Sequence, residues 1–136
     1  MQIRDYIENM FIGRFNRILP TERYVSDAEY NYYYNQVKPI SENLARSANL
    51  IGFTTNDIEG LFCMQIHYLL RRNKLNVKNP IGYIVSSHKT LIKEINFLIQ
   101  KKLKNGGTID MLDNCVFFWH FNGIDIIKDK NENKNY

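Results

Sequence analysis

The chain has 136 residues, 44% of them hydrophobic and 13% aromatic, with a net charge of +4. That is long enough for a core of its own and too apolar for a disordered chain. No run approaches the roughly 18 apolar residues of a membrane span, and two cysteines are too few for a disulfide scaffold. The start, Met1-Gln2-Ile3-Arg4-Asp5, lacks the basic, apolar and small-residue order of a signal peptide, so a cytoplasmic protein is expected.

Residues 2–19 carry Ile3, Tyr6, Ile7, Met10, Phe11, Phe15, Ile18 and Leu19. This is a one-sided helical pattern, weakened at Gly13 and stopped by Pro20. Ser26 and Glu29 have capping-box spacing: the hydroxyl takes a free backbone N–H and the carboxylate reaches back. A second helix then runs to about Asn49 with Tyr30, Tyr33, Val37, Ile40, Leu44 and Ala48 as its core face, and Pro39 should kink it. A third starts near Asn56 or Asp57 and is striped by Ile58, Leu61, Phe62, Ile66, Leu69 and Leu70. Its acids Asp57 and Glu59 and its closing Arg71 and Arg72 both suit the helix dipole. Asn79 and Pro80 have the chemistry of N-cap and first helical residue, opening a fourth helix to about Lys104 with Ile84, Leu91, Ile95 and Leu98 inside.

The tail changes character. Cys115 to Phe121, then Asn122-Gly123, then Ile124 to Ile127 reads as a hairpin on a type I′ turn. The expected fold is therefore mainly α: about four helices, the second kinked, with a C-terminal hairpin-like segment. Residues 1–127 form one domain with an accessory aromatic segment at 108–127, and 128–136 are a disordered tail.

Charge is unevenly placed. Residues 71–104 hold nine Lys/Arg against one acid, Glu94, a local +8, so the rest of the chain sums to −4. Such a run can neutralise phosphates, and Tyr83 can stack on a base. The same residues also suit a solvated basic helix with Tyr83 in the core. Catalytic chemistry is not signalled. His67, His88 and His120 belong to no ligand-spaced cluster, Cys63 and His67 make only a two-residue pair, and Asp57 and Glu59 lie on different helix faces. Gly106-Gly107 ends a helix where a phosphate loop would open one. A non-enzymatic protein with no cofactor and no metal is expected.

The pattern from about 27 to 104 resembles the second conserved region of sigma-70-type transcription initiation factors. Tyr32-Tyr33-Tyr34-Asn35-Gln36-Val37-Lys38-Pro39-Ile40 is similar to the aromatic, proline-bearing helix that opens that region. Thr55-Asn56-Asp57-Ile58 resembles the Asp-Leu start of the helix that grips the polymerase clamp. Asn79-Pro80-Ile81-Gly82-Tyr83-Ile84 resembles the NP-x-[AG]-[WY]-[LI] opening of the promoter-reading helix, 26 residues after Asp57. Ser86-Ser87 stand near the place of the Trp pair of the major factors, and Glu59-Gly60-Leu61 replace a Gln-Glu pair. No room follows residue 104 for the upstream-reading helix-turn-helix domain. The chain is thus most similar to the short, divergent late sigma factors of tailed phages, which implies action in the cytoplasm of a bacterial host.

The resemblance implies two surfaces. Asp57, Glu59 and Gln65 would face the clamp helices of core RNA polymerase. Tyr83, Ser86, Ser87, His88, Lys89 and Lys93 would face a −10-like promoter element, with Arg71, Arg72, Lys74 and Lys78 along the DNA path. The 115–127 segment either completes the core or docks on a further protein. The rival expectation is a helical adaptor or inhibitor that binds polymerase or another protein without reading DNA.

Overall fold

The structure, a computed structural model, describes residues 2–104. The expected hairpin at 115–127, the accessory segment at 108–127 and the 128–136 tail lie outside the described residues. Four helices follow one another: α1 (Ile3–Asn16), α2 (Asp27–Ser47), α3 (Thr55–Arg71) and α4 (Pro80–Lys104). The fold is mainly α, and among the described residues there is no strand. The described residues fall into two units, the first ending at residue 92 and the second beginning at residue 93, and α4 crosses the division.

α1 stops three residues short of the expected Leu19, because Leu19 precedes a proline, which disfavours helical backbone there. The loose end is then caught by another element: Arg71 on α3 donates to the carbonyls of Phe15 and Arg17. α2 begins with Ser26 Oγ accepting from the Glu29 amide at 3.2 Å. The second half of the expected capping box does not form. Arg23 takes the Glu29 carboxylate instead, with two bonds of 2.9 and 2.6 Å. α3 has the complete box. Thr54 Oγ1 accepts from the Asp57 amide at 3.1 Å, and Asp57 Oδ2 accepts from the Thr54 amide at 2.9 Å.

The core of the first unit is built around α3, which packs on both α1 and α2. Ile58, Leu61, Phe62, Ile66, Leu69 and Leu70 are all buried, as their spacing predicts. Ile7, Phe11 and Phe15 enter from α1, with the Phe15 ring edge-on to Tyr68 at 5.3 Å. α2 runs unbroken through Pro39, but its buried residues are Val37, Ser41 and Ala45. Ile40 is 42% exposed, which corrects the face expected for this helix. Small residues at 41 and 45 let α2 approach α3 where Ile40 and Leu44 would hold it off. Ile84 and Leu91 bring α4 into the same unit's core; in the second unit, Ile95, Leu98 and Ile99 are buried.

Candidate nucleic-acid interface

The connection from α3 to α4 is fixed by hydrogen bonds at both ends. Asn73 sits in the left-handed region, φ 58°, which asparagine tolerates better than most residues. Its amide donates to the Leu70 carbonyl at 3.0 Å, and the Lys74 amide donates to Leu69 at 2.9 Å. This is the six-to-one and five-to-two pairing of a Schellman turn, with asparagine in the place usually held by glycine. At the far end, Asn79 Oδ1 accepts from the Gly82 amide at 3.0 Å and its carbonyl accepts from the Tyr83 amide at 3.0 Å. Pro80 takes the first helical position. A β-carbon on residue 82 would lie 2.6 Å from Asn79 Nδ2, so glycine leaves room for the cap itself.

This frame sorts the expected DNA-facing residues into two sets. Lys78, Ser86 and Lys89 are exposed, Tyr83 and Lys74 are half-buried, and Lys93 is exposed in the second unit. Ser86 and Lys89 are three residues apart on α4 and so share a face. Ser87, His88 and Gln65 do not reach solvent, which corrects the roles expected for them. All three are buried, His88 completely. Gln65 Nε2 donates to the Ser87 carbonyl at 3.3 Å, which turns its Oε1 toward His88 Nδ1 at 2.7 Å. Since Oε1 can only accept, His88 carries its proton on Nδ1. The imidazole also stacks on Phe62, ring centres 3.9 Å apart. Burial pushes the His88 pKa down to about 3, so the ring is neutral at physiological pH. A signal was present in the sequence: His88 falls four after Ile84 and three before Leu91, on the apolar stripe.

Arg71 and Arg72 are likewise not on a free DNA path. Arg71 Nε donates to Glu22 Oε1 at 3.0 Å and Arg72 Nε to Glu22 Oε2 at 2.8 Å. The Glu22 side chain is 2% exposed. Burial alone would raise its carboxyl, and the two guanidiniums outweigh this and hold it below the ordinary glutamate value. Arg72 also lies over the Tyr68 ring, 4.7 Å from its centre. Arg71 Nη1 reaches His67 Nδ1 at 2.9 Å. A guanidinium only donates, so Nδ1 accepts and the His67 proton is on Nε2. Neither ring nitrogen then offers a lone pair to a metal. Among the described residues no group of three His, Cys, Asp or Glu could hold one.

The expected polymerase-facing acids are near the other end of α3. Asp57 is committed to its capping box and has Arg4 Nη1 at 3.9 Å. Glu59 is half-buried and lines a water-sized cavity with Lys38, Ser41 and Glu42. Sequence reasoning missed the outer face of α2. Tyr32, Gln36, Pro39, Ile40 and Asn43 are all exposed and uncharged, and Tyr32 stands perpendicular to Tyr33 at 5.0 Å. The signal was that spacing of residues without a charge among them.

Comparison with protein-family models, with curated proteins and with solved structures returns no significant match. Among the described residues no helix is long and apolar enough to cross a membrane.

Proposed function

We propose that this protein is a sigma-like transcription initiation factor that binds core RNA polymerase and recognises a −10-like promoter element. The observation that carries this reading is the opening of α4. An Asn79-capped, Pro80-started helix follows a basic connection and presents Ser86 and Lys89 to solvent, with Tyr83 half-buried beside them. In this reading Lys78, Lys89 and Lys93 hold phosphates and Tyr83 stacks on an unpaired base. The buried Gln65–His88 pair supports the helix from behind without touching DNA. Glu59 is the acid available to basic clamp helices; Asp57 shapes the helix that carries it. Charge pairing of this kind selects the partner more than it adds affinity.

The test is co-elution of the purified chain with bacterial core RNA polymerase, repeated with Glu59→Lys, followed by binding of the assembled complex to −10-like DNA with an unpaired strand. Co-elution weakened by Glu59→Lys, with DNA binding lost in Lys89→Glu/Lys93→Glu, supports the proposal. No co-elution with core polymerase under low salt sinks it.

A second reading, a helical adaptor or inhibitor that binds polymerase or another protein without reading DNA, is favoured by the outer α2 face, where Tyr32, Gln36, Pro39, Ile40 and Asn43 are exposed and Arg46 is bonded to Asn43. Exposed tyrosine beside asparagine and glutamine gives rigid contact area with adaptable hydrogen bonding, which suits a protein partner. It predicts that reversing Lys89 and Lys93 leaves partner binding intact while Tyr32→Ala/Ile40→Ala abolishes it.

A further inference from the structure

His67 stands at the junction of three segments of the first unit. Its own helix supplies Arg71, whose Nη1 donates to Nδ1, and Cys63 one turn back. α2 supplies Asp27 and Tyr30, the latter with its ring 6.0 Å from the imidazole. The 17–25 segment supplies Glu22, which holds Arg71 from the other side. Arg71 is also what fastens the end of α1, through the Phe15 and Arg17 carbonyls. The 17–25 segment has a further tie to the same residue, the Arg23 amide donating to the Arg71 carbonyl at 3.2 Å. An open groove of about 320 Å³, lined by Asn16, Asp27, Tyr30, Cys63, Met64, His67 and Arg71, lets water reach the imidazole.

We propose that His67, Arg71 and Glu22 form an acid-sensitive clasp, in which protonation of His67 drives Arg71 from its seat and loosens the end of α1 and the 17–25 segment from α3. The reason is geometric. Nδ1 can accept from Arg71 only while it carries no proton. Once protonated it sets an N–H against an N–H and a cation against a cation at 2.9 Å. Arg71 cannot turn away without giving up contacts to α1 or to Glu22, because one guanidinium serves all of them. The charged neighbours act in both directions. Burial and Arg71 disfavour the imidazolium, Asp27 and Glu22 favour it, and the first pair prevails, so His67 is held below the ordinary histidine value. The unfolded chain therefore binds this proton first. The clasp's contribution is complete above the ordinary histidine range and is lost as pH falls below it.

The test is backbone amide hydrogen exchange on the full chain by NMR at pH 7.5, 6.5 and 5.5, corrected for intrinsic rates, in wild type and His67→Gln. Glutamine can accept from Arg71 and does not titrate. In wild type, protection of the Arg23 amide should fall several-fold, and by no more than about tenfold, across this range. In His67→Gln the Arg23 fall should disappear. An equal fall in the variant overturns the proposal. Should the variant fail to fold, the wild-type ring decides. His67 titrating together with the Arg71 Nε–H resonance supports the clasp, and titration that leaves that resonance unmoved overturns it.

Discussion

Arg71 and Arg72 belong to the same run of nine cations as Lys78 and Lys89, yet the two pairs end in opposite environments. The arginines turn inward. Their side chains are 10% and 18% exposed and share one buried carboxylate. The lysines stand in solvent. The difference follows from the head groups. A planar guanidinium can satisfy several acceptors in fixed directions while partly buried, whereas an ammonium is strongly hydrated and stays out. A local excess of positive charge is therefore not one surface. Part of it is mortar between α1, the 17–25 segment and α3, while Lys78 and Lys89 face solvent.

Arg71→Ala removes the inward-turned guanidinium with the most contacts. It takes one of two guanidiniums from Glu22, which keeps Arg72, and frees the end of α1, so unfolding by urea should show a loss of about 2–3 kcal/mol. Arg71→Lys should recover only part of this, because an ammonium cannot serve Glu22, His67 and two carbonyls together. Acid is the next largest lever. His88 has a folded pKa of about 3, against the ordinary 6.5. The unfolded chain thus takes up a proton at this site that the folded chain refuses. Stability should decline from about pH 6.5 downward and keep falling toward pH 3. His88→Leu should make that decline shallower in thermal melts run as a function of pH. Asn79→Ala removes the α4 cap and should cost about 1 kcal/mol by the same urea measurement. The smallest stability effect belongs to the lysines: Lys78→Ala and Lys89→Ala should leave the urea midpoint unmoved. If they contact phosphates, each should lower the salt dependence of DNA binding by about one unit of slope, which a titration at several salt concentrations would read.

The helices were legible because their signals are local. Ser26 and Asn79 cap α2 and α4, and the α3 stripe could be counted by spacing alone, although α3 starts at Thr55 on a Thr54 cap, one residue or two before the expected Asn56 or Asp57. The phase of α2 was not, because large residues at 40 and 44 and small ones at 41 and 45 make two adjacent faces both passable, and close packing on α3 chose the small one. The fate of Arg71 was hidden for a different reason. Its partner Glu22 lies 49 residues away in the chain, and nothing near either residue announces the other. His88 was legible in principle, since it sits on the stripe between Ile84 and Leu91. A histidine among lysines invites assignment to the basic side, and here the apolar period outweighs that composition.

The missing side chain at Gly82 has a consequence for where motion is permitted. Replacing it with alanine adds about 1 kcal/mol of helix preference along α4. The added methyl must also displace the Asn79 amide that closes the helix, a loss of similar size. The two nearly cancel in a melt. Gly82→Ala would exchange the closed Asn79 cap for a stiffer backbone within the same first turn, so that Tyr83 samples more orientations on the nanosecond scale while the midpoint of unfolding barely shifts. Position 82 thus sets the local mobility of the helix opening almost independently of global stability.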